Sequence, residues 1–106
     1  MPKYLMEVSY TAEGAKGLLK DGGSKRLAAA KALCESIGGK LESMYYAFGD
    51  TDAIVIVDAP DAAAAAAASI ALGASGAVTT KTTALLTVEE IDAAVKKTAS
   101  YKAPGQ

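Results

Sequence analysis

The sequence predicts an α+β sandwich of two split βαβ units, a four-stranded antiparallel sheet with helices on one face, and three observations carry that prediction. Residues 4–10 alternate, with Tyr4, Met6, Val8 and Tyr10 at even positions, the period of a strand with one buried face. Residues 41–48 and 53–58 are two strand-like runs joined only by Gly49-Asp50-Thr51-Asp52, a connection short enough that the pair must form an antiparallel hairpin. Helical segments flank that hairpin on both sides, and right-handed crossovers then put strands one and three in the middle of the sheet and two and four at its edges.

The elements follow in order. After strand one, Thr11 caps a helix with Glu13 in its first turn, where a carboxylate suits the dipole. Asp21-Gly22-Gly23-Ser24 interrupts it, and Ser24 is expected to cap a second piece in which Leu27, Ala30, Cys34 and Ile37 share a stripe, with Leu33 beside it. Gly38-Gly39 ends this crossover. Ile54-Val55-Ile56-Val57 has no polar interruption and reads as a central strand, stopped by Pro60, after which Asp61 caps a helix opened by seven alanines. An alanine run has helix propensity but no amphipathic face, and it permits close approach to the sheet or to a neighbouring chain. A β-branched segment, 77–86, forms strand four. Thr87-Val88-Glu89-Glu90 is a capping box with Leu86 and Ile91 at the staple positions, opening a helix to about residue 99. Residues 1–99 make one domain and 100–106 a tail or docking strap.

Composition bounds the function. With 106 residues and 51% apolar content the chain can bury one core, but much of that content is alanine. Eleven basic against twelve acidic residues leave a net charge of −1 with no basic stripe, which argues against nucleic acid. The apolar run 59–72 is broken by Pro60, Asp61 and Ser69, which argues against a membrane span. Cys34 stands alone, and Met1-Pro2-Lys3 runs straight into a strand pattern, so the expectation is a cytoplasmic protein. Helices on one face leave the other open, exposing Leu5, Glu7 and Ser9, so a homodimer or higher homo-oligomer is expected.

The motifs also resemble a known family. Tyr10-Thr11-Ala12-Glu13-Gly14, Arg26-Leu27, Gly38-Gly39-Lys40, Tyr45, Gly49 with Asp52, Ala59-Pro60-Asp61, and Thr80, Thr82 and Ala84 together resemble the small bacterial GYD domain family over about residues 2–98. The family is named for a glycine, any residue, tyrosine, aspartate signature; here Thr51 stands at the tyrosine position, and any role of that ring is lost. The resemblance implies a ferredoxin-like fold of the dimeric α/β-barrel type, whose members include ligand-sensing modules and cofactorless oxygenases, and it carries no specific activity.

Candidate sites are few. Glu7 and Lys81 should be cross-strand neighbours on the open face, with Thr79 and Thr83 flanking Lys81, and could orient a polar ligand; their ordinary reading is a surface ion pair. Tyr10 and Tyr45, or Tyr46 on the opposite face, could line a pocket for a planar molecule, and ordinary packing would also explain them. Ser24, Lys25 and Arg26 form a weak anion site after Gly22-Gly23, without the spacing of a phosphate loop. Asp50, Asp52, Asp58 and Asp61 read as turn and cap residues, and with no histidine in the chain no metal is expected. Cys34 reads as a small buried hydrophobe. No cofactor is called for, and no catalytic residue is assigned. The leading expectation is an oligomeric small-molecule-binding or sensing module using a cleft between sheet and partner. The alternatives are a cofactorless monooxygenase- or isomerase-like enzyme, with Glu7 or a tyrosine handling a proton, and a structural assembly protein.

Overall fold

The computed structural model describes residues 1–47 and 49–106; Phe48, expected at the end of the second strand, lies outside the described residues. Its elements are β1 (Lys3–Tyr10), α1 (Ala12–Ser36), β2 (Lys40–Tyr46), β3 (Ala53–Asp58), α2 (Ala62–Ala74), β4 (Val78–Leu85) and α3 (Val88–Val95). The sheet order is β2-β3-β1-β4, antiparallel throughout. The crossover rule therefore predicts the topology correctly, with the two central strands supplying most of the buried hydrophobic residues: Tyr4, Met6 and Val8 from β1, and Ala53, Val55 and Val57 from β3.

The expected barrel is not formed. The sheet is open and ends at the edges of β2 and β4. Four strands of ordinary twist fall well short of the roughly eight needed to wrap around a core of side chains.

Local signals work as read. Thr11 Oγ1 accepts from the Gly14 amide, Asp61 from that of Ala64, and the Thr87/Glu90 capping box closes in both directions. At Gly22 the chain takes φ 78° and ψ 170°, a left-handed kink inside α1 that glycine adopts without a Cβ penalty. Ser24 is already helical, so it does not serve as the expected cap. The helix then ends at Gly38, whose φ is 76° and whose amide, with that of Gly39, satisfies the Glu35 and Cys34 carbonyls.

In β2 a register irregularity between Leu41 and Ser43 interrupts the alternation. Leu41, Met44 and Tyr46 pair with Val57, Val55 and Ala53 and share their helix-facing side, while Ser43 and Tyr45 pair with Ile56 and Ile54 on the open side.

Two apolar surfaces have no partner among the described residues. On the open face lie Leu5, Ile54, Ile56 and Tyr45, the last 70% exposed. The second is α3, exposed along its whole length and with no extensive packing on another element among the described residues, where Val88, Ile91 and Val95 make one stripe at helical spacing. The helix ends at Val95, short of the expected residue 99. The molecule is accordingly elongated, 56 × 33 × 22 Å, with a radius of gyration of 16.8 Å where a compact chain of this length has about 13 Å.

Candidate functional site

The site is built from what fails to meet over the sheet. Helix α1 packs chiefly on β2 and α2 on β4, and the two make no extensive contact with each other. Alanine is the reason: Ala29 and Ala30 on α1 and Ala65 and Ala68 on α2 present a single methyl each where larger side chains would interdigitate. The result is a partly enclosed cavity of about 230 Å³ between the helices and the sheet. Its floor is Met6, Val8, Val55 and Val57, and its helical walls include Leu33, Cys34 and Leu72.

Polar groups are sparse. Tyr10, Arg26 and the Cys34 thiol are the polar side chains among the described residues of the lining. Burial, with Glu35 adding to it, pushes the Cys34 thiol above its ordinary range, so it is a weakly reactive neutral group at neutral pH. Beside the cavity Tyr46 donates a hydrogen bond to the Gly23 carbonyl at 3.2 Å, and its ring packs where a Gly23 side chain would begin. Burial raises the Tyr46 phenol above its ordinary range, Tyr10 adds to the effect, and the charge of Arg26 opposes it.

The candidates chosen from sequence are divided between two faces. Glu7, Lys81, Thr79, Thr83 and Tyr45 lie on the open face, where Lys81 is directly opposite Glu7 in the β1/β4 register. Glu7 and Lys81 do not form the expected ion pair: Glu7 instead accepts a long 3.4 Å hydrogen bond from Thr51, at the position where the family carries its tyrosine. The ion pairs of this face belong to Lys3, which reaches Asp58 at 2.8 Å and also Glu42, and those hydrogen bonds raise its ammonium pKa. Tyr10 alone of the proposed ligand set reaches the cavity. Of the anion candidates, Ser24 and Lys25 are exposed, and Arg26 is half-buried on the cavity wall. Met44, Ala29 and Leu72 also line it, and the only sequence signal for such a space was the alanine content of both helices.

Asp52 of the signature has a structural task. Its Oδ2 accepts from the Tyr10 amide at 2.8 Å, and its own amide donates to the Val8 carbonyl at 2.9 Å, clasping the hairpin to the end of β1. Asp52→Ala leaves the Tyr10 amide without its acceptor and should cost about 1–2 kcal/mol in urea unfolding, with Asp52→Asn recovering part of it. Equal stability of Asp52→Ala and the parent would show that water replaces the carboxylate at no cost. Among the described residues no group of three or more metal-ligating side chains converges, and no helix is long and apolar enough to cross a membrane.

In comparison with known proteins, the GYD domain family model matches the chain over residues 4–95. No curated protein and no solved structure matches the chain.

Proposed function

The chain belongs to the GYD domain family, and we propose that it is a homo-oligomeric module that binds a small, largely apolar molecule in the cavity between the sheet and helices α1 and α2. The cavity itself carries this reading. Sealed and empty, a void of this size would cost up to roughly 5 kcal/mol, and this cavity, being partly enclosed, carries a part of that cost. A bound apolar molecule recovers that loss. Among the described residues no large side chain is fully buried, which fits a core whose missing volume is supplied from outside the chain.

Binding is favoured over proton-transfer chemistry because the described lining holds no carboxylate and the chain no histidine. Of the two expected proton carriers, Glu7 is on the opposite side of the sheet, and a tyrosine is represented in the lining by Tyr10 with no acid or base of the chain beside it in the described lining but Arg26 and Cys34. The oligomeric part of the proposal rests on the two unpartnered surfaces. Helix α3 of one copy covers the open sheet face of a second copy, and the reverse contact follows from two-fold symmetry.

The chain has three methionines, two of which, Met6 and Met44, line the cavity while Met1 is exposed, so methyl-labelled protein reports occupancy directly. Octan-1-ol should shift the Met6 and Met44 signals saturably and leave Met1 in place. Ala30→Phe, which fills the space from α1, should weaken that titration by at least about tenfold while the protein stays folded. Shifts confined to Met1, or an unchanged titration in Ala30→Phe, would remove the cavity as the binding site.

A further inference from the structure

We propose that the ligand of this cavity carries a single anionic group, a carboxylate or its equivalent, bound by Arg26 with its apolar body among the aliphatic side chains. The inference rests on the cavity being the binding site and adds the chemistry of what enters it. Arg26 is the sole charged side chain among the described residues of the lining, and it is half-buried. It has no carboxylate partner: both ion pairs of the described residues are made by Lys3, on the other side of the sheet. A guanidinium that has lost part of its hydration to an apolar wall, with no counter-charge from the protein, gains most from an anion offered in its plane.

Its placement is a consequence of the fold. Gly22 turns the chain at a φ of 78°, and the helix that resumes beyond it carries Arg26 to the wall of the cavity that Tyr10 also lines. Tyr10 can add a hydrogen bond to the same anionic group. The rest of the lining excludes other classes of ligand. A sugar, polyol or nucleotide would bury several polar groups against valine, leucine, methionine and alanine without partners. An apolar monocarboxylate requires one polar contact, and Arg26 provides it.

The test compares octanoate with octan-1-ol, which share an eight-carbon chain and differ in charge, in the parent protein, Arg26→Gln and Arg26→Lys, followed by the Met6 and Met44 methyl signals. Octanoate should bind the parent at least about tenfold more tightly than octan-1-ol. Arg26→Gln should erase that preference by weakening octanoate alone, and Arg26→Lys, which keeps charge without the planar fork, should retain part of it. If octan-1-ol titrates the cavity and octanoate shows no advantage, or an advantage that survives in Arg26→Gln, the anionic ligand is wrong and the cavity stands. If neither compound shifts Met6 or Met44, the cavity reading fails and this inference with it.

Discussion

Gly14→Ala will unfold about 15 °C below the parent protein, a loss of about 3 kcal/mol, whereas Gly17→Ala, three residues along the same helix, will unfold at the parent temperature or slightly above it. Gly14 is buried where the first turn of α1 crosses the start of β4. A Cβ there runs into the carbonyl oxygen of Ala77 and meets the Tyr10 ring at 3.0 Å. That carbonyl cannot yield freely, because it accepts the Thr11 amide at 3.0 Å, and the adjoining Gly76 carbonyl holds the Thr11 hydroxyl at 2.8 Å. Separating helix from strand would break the bonds that seat the helix cap. At Gly17 an added Cβ meets nothing within 4 Å, so alanine gains only its helix propensity, up to about 1 kcal/mol. Thermal unfolding followed by circular dichroism reads both. Equal midpoints for the two variants would mean that the crossing relaxes at no cost and that Gly14 is an ordinary helix position.

The contrast between those glycines also marks what can be read from the chain alone. Caps and turns are local, so Thr11, Asp61 and the Thr87/Glu90 pair announce themselves within four residues. Strand order follows from two short-range facts, a tight hairpin and two crossovers, which is why β2-β3-β1-β4 is legible. Side-chain direction in β2 is not. Strict alternation counted from Leu41 puts Tyr45 toward the helices, but the irregularity before Ser43 inverts every later position and delivers Met44 and Tyr46 instead. The cavity is hidden for a different reason. Periodicity locates side chains that fill space, and Ala62 to Ala68 give no direction for the space they leave, so the buried pair Ala65 and Ala68 emerges only once α2 is seen against β4. A site defined by missing volume has no sequence motif. Arg26 was visible as a charge after a glycine pair, but only the kink at Gly22 and the space left between α1 and α2 show that it stands on the wall of an apolar cavity.

Ile91→Asp will convert the proposed assembly to single chains at micromolar concentration, and Ile54→Asp, on the sheet face it is proposed to meet, will do the same. Ile91 is the centre of the α3 stripe and 46% exposed, while Ile54 lies between Tyr45 on β2 and Glu7 on β1 in the sheet register. An aspartate buried at either position removes an apolar contact and places an unpaired carboxylate in the interface, a loss of about 2 kcal/mol or more for each arm. Two-fold exchange counts that loss twice, so the dissociation constant should rise by roughly a thousandfold. Val88 and Val95 flank Ile91 on the same stripe, so deletion of residues 86–106 should match or exceed the effect. Sedimentation velocity distinguishes the possible results. A monomeric Ile91→Asp beside an associated Ile54→Asp would move the arm from the open face to the groove between α2 and β4, whose walls are alanine, serine and threonine with Tyr4 at its base. A parent protein that is itself monomeric would remove the second copy altogether. The cavity opens on the other side of the sheet from Ile54, so the separated chains should still take up octan-1-ol, and in this way the assembly and the binding site can each fail without the other.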